Sequence, residues 1–147
     1  MILNKQKKVR LAIRPLGSFL RKAQCELKID GSEITVAFVS DSEITQWNEA
    51  YRKKKGPTDV LSFPAVAGAS LRAAGAQGRK AGEILGDIAI APETAQRYAK
   101  KNGRSLATEI RVLMLHGVLH LMGYDHESDN GQMNRIEQRL RRRLGIA

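Results

Sequence analysis

The chain has 147 residues, 42% hydrophobic and 27% charged, which fits one globular domain and excludes a disordered or collagenous protein. Its 25 lysines and arginines outnumber 15 acidic residues, and the net charge of +10 favours a polyanionic partner, nucleic acid or an anionic membrane surface, over neutral ones. No apolar run approaches the roughly 20 residues of a membrane span and no signal peptide is evident, so we expect a cytoplasmic protein. The single cysteine, Cys25, excludes an intramolecular disulfide and is expected in the core.

Hydrophobic spacing in the first half of the chain predicts alternating strands and helices. Residues 1–10 are expected to hold a short basic edge strand, followed by a helix from about Leu11 to Ala23. The apolar run from Ile34 to Val39 predicts a strand covered on both faces. Ser40 and Glu43 match the capping box that begins a helix. The apolar face of that helix is Ile44, Trp47 and Tyr51.

A basic run, Arg52 to Lys55, ends this helix, and two further strands are predicted at 59–64 and 85–91. Asp59 and Asp87 are interpreted as structural residues at strand ends. Between these strands, residues 65–82 are rich in alanine and glycine and contain no acidic residue. Such a segment buries little surface, so we expect a mobile hairpin loop.

The second half of the chain predicts three helices. Pro92 begins the first, which Gly103 ends. Ser105 caps the next, and its almost wholly apolar stretch 112–122 indicates a buried central helix that Gly123 ends. Ser128 or Asp129 should cap the last helix, whose apolar face is Met133, Ile136, Leu140 and Leu144. The order of elements predicts the α+β class, as one domain over residues 1–147 with helices packed on a small mixed sheet.

All three histidines lie within residues 116–126. His116 and His120 are four residues apart and therefore share a helical face, here among apolar neighbours. His126 follows after Gly123, which can end the helix and turn the chain back. Imidazole is a preferred zinc ligand, and three protein ligands leave the open position that is typical of a catalytic zinc. Buried structural histidines are the alternative, but that interpretation would have to hold at three positions together.

The spacing of the histidines equals that of the metzincin proteases, H-E-x-x-H-x-x-G-x-x-H. The glutamate that serves those proteases as general base is Gly117 here, which has no side chain to accept a proton. Peptide or amide hydrolysis by that route is therefore disfavoured, although the metal-binding geometry is retained.

Three sequence blocks resemble a known family. HGVLHLMGYDH at 116–126 is similar to the signature of the bacterial YbeY family, the zinc-dependent endoribonucleases of rRNA maturation. WNEAYRKK at 47–54 with PTDVLSFP at 57–64 resembles the family's second motif, and LGDI at 85–88 its third. The resemblance extends from about Ser40 to Asp129.

The resemblance implies a four-stranded mixed sheet flanked by helices and one Zn²⁺ on His116, His120 and His126, with a water completing the site. It also implies a functionally important arginine at Arg52. The activity it implies is hydrolysis of single-stranded RNA, in maturation of the 3′ end of small-subunit rRNA and in ribosome quality control. Expected partners are therefore RNA and the ribosome or its proteins, without a membrane.

Physical chemistry is consistent with these roles but leaves several open. Arg52 has the bidentate fork that suits phosphate, or it is one more solvated charge. Two sets of basic residues are interpreted either as phosphate contacts without sequence preference or as plain surface charges: Lys53–Lys55, and Arg139 with Arg141–Arg143 on the last helix. Asp125 is a candidate to orient a histidine, to act as base, or simply to form a turn. The general base stays unassigned, and the nucleophile is either a water or the 2′-hydroxyl of the RNA.

A second function class is a non-catalytic ribosome-associated or RNA-binding factor with a structural zinc. The lack of a fourth histidine or a second cysteine argues against it, although Asp125 or Asp129 could close the site. Aromatic residues make up only 5% of the chain, so an extended base-stacking platform is not expected.

Overall fold

The computed structural model describes residues 1–65, 82–125 and 129–146. The predicted loop 65–82, apart from its two end residues, lies outside the described residues, as do His126 and Ser128. Four strands and five helices follow one another in the described parts of the chain. They are β1 (Ile2–Asn4), α1 (Ile13–Glu26), β2 (Glu33–Phe38), α2 (Asp41–Arg52), β3 (Val60–Pro64), β4 (Ile84–Ile90), α3 (Pro92–Lys101), α4 (Leu106–Leu121) and α5 (Gln132–Arg143).

The strands form one sheet in the order β1-β2-β4-β3. β1, β2 and β4 are parallel, and β3 pairs antiparallel with β4. The predicted α+β fold with a four-stranded mixed sheet is therefore confirmed, and β1 is an edge strand as expected. The other edge is β3, which matters for the site described below.

Side chains alternate between the two faces of the sheet, so neighbouring residues of β4 report what covers each face. Ile88 packs against α4, whereas Ala89 joins a second cluster with Ile44 of α2. The main core lies on the Ile88 face, where α1, α4 and α5 contribute buried residues. The central helix is buried as predicted, with Met114, Leu115, Val118, Leu119 and Leu121 fully inaccessible.

Two burial predictions were wrong. β2 alternates between buried and half-buried residues, because α2 covers only part of the second face of the sheet. Cys25 is exposed. It follows the buried Ala23 by two residues, and about 200° of helical rotation turns its side chain away from the sheet.

The predicted helix starts are present, with local differences in how they are capped. The Ser40 hydroxyl accepts a hydrogen bond from the Glu43 amide at 3.2 Å. Glu43 does not complete a capping box through its side chain, which instead lies 3.5 Å from Lys5 Nζ. Asp129 accepts hydrogen bonds from the Gly131 amide at 2.8 Å and the Met133 amide at 2.9 Å, and so caps α5.

In the residues that the structure describes, no helix is both long and apolar enough to cross a bilayer.

Candidate functional site

The two histidines of α4 meet at a partly buried position on the helix surface. His120 Nε2 lies 3.0 Å from His116 Nε2, and the ring centroids are 4.6 Å apart with an interplanar angle of 77°. The helical spacing predicted this shared face. The tertiary structure adds that both Nε2 atoms converge on one point.

This convergence fits two ligands of one zinc ion. Ligand nitrogens about 2.0–2.1 Å from a tetrahedral zinc are roughly 3.3 Å apart, slightly more than the separation observed. A small opening of the pair would therefore admit the ion. His126, the third predicted ligand, lies outside the described residues. Within the described ranges, no three His, Cys, Asp or Glu side chains form a group able to hold a metal.

Glu137 of α5 contacts this pair, and the sequence did not single it out. Its Oε1 lies 3.2 Å from His116 Nδ1, the ring nitrogen that faces away from His120. The side chains of His116 and Glu137 are only 26% and 15% exposed. The one available signal in the sequence was that Glu137 is the single acidic residue of an otherwise basic helix, which is a weak indication of function.

Gly117 faces the sheet instead of the histidine pair. A Cβ atom at this position would lie 2.8 Å from Ile88 Cγ2 and 2.9 Å from Ile88 Cδ1, closer than side-chain atoms pack. A glutamate here would be directed into the core and would not reach the histidine nitrogens. The glycine is therefore a packing requirement, and the protease-like interpretation loses its general base for a steric reason as well.

We expect Gly117→Ala to destabilise the protein by up to about 2 kcal/mol, because overpacking costs about 1–3 kcal/mol and the gain in helix propensity offsets only about 1 kcal/mol of it. Urea unfolding would measure this effect. In an Ile88→Ala background the clash is removed, and the same substitution should become stabilising because only the gain in helix propensity remains. Gly17→Ala in α1 is the matched control, since its nearest neighbour is 3.6 Å away, and it should stabilise. Equal effects at both glycines would contradict this account.

Arg52 is the last residue of α2 and begins an exposed basic turn. Lys53 ends the helix in the left-handed conformation, at φ 56°. The side-chain amide of Asn48, a residue 4% exposed, donates a hydrogen bond to the Gly56 carbonyl at 3.0 Å, and the backbone carbonyl of Asn48 accepts one from the Lys54 amide at 3.3 Å. These bonds hold the basic turn against α2, so its charges have a defined place on the surface.

The basic turn and the histidine pair lie on opposite sides of the edge strand β3. Ser62 of β3 donates a hydrogen bond to the Gly117 carbonyl at 3.4 Å, and the next residue, Phe63, packs on Tyr51 with ring centroids 5.5 Å apart. Adjacent residues of β3 therefore contact the neighbours of His116 and of Arg52.

Three of the seven aromatic residues gather beside the basic turn. Phe63 packs edge-on against Trp47, at 6.2 Å between centroids, and against Tyr51, which is 70% exposed. These rings line a groove of about 500 Å³ that also includes Asp87. Asp87 lies within β4, not at its end as expected. Aromatic content alone did not reveal this small stacking surface.

An open cleft of about 940 Å³ runs along α5 next to Tyr124. Arg135, Arg139 and Arg142 line it, together with uncharged polar side chains. Arg143 does not take part, because its guanidinium binds Glu26 of α1 with Nε–Oε2 and Nη2–Oε1 distances of 2.6 and 3.3 Å. The hydrogen bond from Arg143 lowers the pKa of Glu26 below its ordinary value. Arg135, Arg139 and Arg142 thus form an open set of arginines on α5, whereas Arg143 holds the helix in place.

Comparison with known proteins identifies close relatives. The model of the family described as endoribonuclease YbeY matches residues 1–145. A protein named endoribonuclease YbeY from Koribacter versatilis is 40% identical over 146 residues, 99% of this chain and 86% of that protein. The protein of that name from Aquifex aeolicus is 35% identical over 139 residues, covering 93% and 85%. A solution structure of a Thermotoga maritima protein, 24% identical, has a similar fold, with a TM-score of 0.66 over 98% of this chain and 89% of the other.

Proposed function

Because this chain belongs to the endoribonuclease YbeY family, and is thus an RNA-cleaving hydrolase, we propose that it uses Zn²⁺ to cleave single-stranded RNA. Residues 1–147 would act as one catalytic domain. His116, His120 and His126 would hold the metal, and Arg52 would contact the phosphate. The observation that carries the proposal is the 3.0 Å approach of the two Nε2 atoms on a partly exposed helix face.

The ligand set favours a catalytic zinc over a structural one. When bound, Zn²⁺ supplies a Lewis acid and can lower the pKa of a coordinated water to roughly 7. A structural site needs a fourth protein ligand, and Asp129 is a poor candidate because each of its carboxylate oxygens already accepts a backbone amide. Cys25 is also a poor candidate for the fourth ligand. It precedes Glu26 on α1, and Glu26 binds Arg143 at the far end of α5.

Arg52 is proposed to bind the scissile phosphate and to stabilise the charge that develops on it. A guanidinium presents two parallel donors to phosphate oxygens, which a lysine cannot do. An RNA strand crossing the β3 edge would pass both the histidine pair and the basic turn. Tyr51, exposed next to Arg52, offers a ring on which a base can stack.

The biological role that we propose is maturation of the 3′ end of small-subunit rRNA, together with ribosome quality control in the cytoplasm. The ribosome or its proteins would then be partners in addition to RNA. The net charge of +10 supports a polyanionic partner. Mapping cleavage ends on a small-subunit rRNA precursor, with metal analysis of the same protein, tests this role. Ends with 2′,3′-cyclic phosphate would identify the RNA 2′-hydroxyl as the nucleophile, and 5′-phosphate ends would identify water.

The open arginines of α5 are proposed to bind RNA phosphates. We expect the double substitution Arg139→Gln/Arg142→Gln to reduce the salt dependence of RNA binding. The logarithm of the binding constant falls as the logarithm of the salt concentration rises, with a slope of about −0.7 for each phosphate contact to a single strand. Loss of two contacts should therefore make the slope less steep by about 1.4. Filter binding on metal-free protein between low and moderate salt measures it without cleavage.

Arg10→Gln/Arg14→Gln is the matched control, because it removes the same charge from two exposed arginines, one shortly before α1 and one in its first turn. This control should leave the slope nearly unchanged. Equal losses in both double variants would show that the positive charge acts as a whole and that the α5 cleft is not a binding surface.

A further inference from the structure

We infer that Glu137 is a positioning residue that holds His116 ready for the metal, an inference that rests on the proposed zinc site. A histidine ligand binds a metal through one ring nitrogen, and a partner on the other nitrogen determines its tautomer and orientation. Glu137 Oε1 is 3.2 Å from Nδ1 of His116, while Nε2 is directed at His120. The carboxylate therefore contacts the ring nitrogen that the metal does not need.

The contact is selective for the histidine. α5 carries Arg141 one turn after Glu137, the spacing at which a glutamate and an arginine pair on a helix surface. Of the described side chains, Glu137 nevertheless pairs with His116, and the buried Nε of Arg141 has no hydrogen-bond partner. Glu137 is also only 15% exposed, so water screens this interaction less than it screens an ordinary surface ion pair.

The Nδ1 contact favours one tautomer of His116. A carboxylate oxygen accepts hydrogen bonds, so the tautomer that suits this contact carries its proton on Nδ1 and keeps a lone pair on Nε2. Nε2 is the atom that lies 3.0 Å from Nε2 of His120, where the proposed metal would bind. Glu137 thus presets His116 as a ligand through Nε2.

The test compares zinc affinity in full-length variants by competition with a chromophoric chelator. Removing such a carboxylate typically weakens metal binding by about 10- to 100-fold, and we expect this for Glu137→Ala. Glu137→Gln retains an acceptor oxygen and should lose less, which covers the case in which the alanine variant folds poorly. Nitrogen-15 NMR of the metal-free protein should also show His116 as the Nδ1–H tautomer, with that preference lost in Glu137→Ala.

Glu26→Ala is the matched control, because it also removes a carboxylate that anchors α5. Glu26 binds Arg143, at a place away from the histidines. It should leave zinc affinity and the His116 tautomer unchanged. Parent-like affinity and tautomer in Glu137→Ala, or an equal loss in Glu26→Ala, would overturn the inference. A parent protein that binds no zinc would instead contradict the proposed function, so the two failures are distinguishable.

Discussion

Alanine at His116 or His120 should abolish RNA cleavage, with a loss of at least roughly 10³-fold, the size expected when the central catalytic group is removed. Each substitution removes one of two nitrogens that converge at 3.0 Å, so the remaining residues would hold zinc much more weakly. Initial rates on a single-stranded RNA and zinc content per chain are the measurements. The fold should persist, because the interior around α4 is formed by apolar residues.

Metal removal provides the control for these two variants. The parent protein should lose cleavage when it is stripped with a chelator and regain it with Zn²⁺, whereas neither variant should recover at the same metal concentration. Circular dichroism would verify the fold in each case. Parent-like rates in both variants would attribute the cleavage to a contaminating nuclease and reject the metal site.

Arg52→Glu should reduce the rate of cleavage by about 10²–10³-fold, the usual effect of losing a donor that stabilises charge in the transition state. Zinc content should not change, because Arg52 lies across β3 from the histidines. Single-turnover kinetics at saturating RNA separate this effect from weaker binding. Arg52→Lys should recover only part of the rate, since an ammonium cannot donate in a bidentate fashion.

Lys54→Glu is the matched control for Arg52. It makes the same change of charge two residues later in the same exposed turn. We expect it to weaken RNA binding at low salt and to leave the single-turnover rate nearly intact. If both reversals slow the chemical step equally, Arg52 is one more charge of the basic turn and has no separate catalytic role.

Most elements of the fold were predictable from local sequence. Apolar periodicity located the buried α4, and the Ser105 cap was correct because its hydroxyl accepts the Thr108 amide three residues away. The errors arose where burial depends on a distant element. The apolar sequence of β2 predicts a strand buried on both faces, yet only the arrangement of α2 decides how much of its second face is exposed.

For the site, the sequence by itself determined the family, the basic character and the histidine pair, because four residues of helix place two side chains on one face whatever surrounds them. Only the tertiary structure decided that Gly117 faces Ile88, that Phe63 of β3 joins Tyr51, and that Glu137 reaches His116 from 21 residues away. These contacts join different elements, and their distances depend on how helices pack on the sheet. Spacing along the chain does not encode that packing directly.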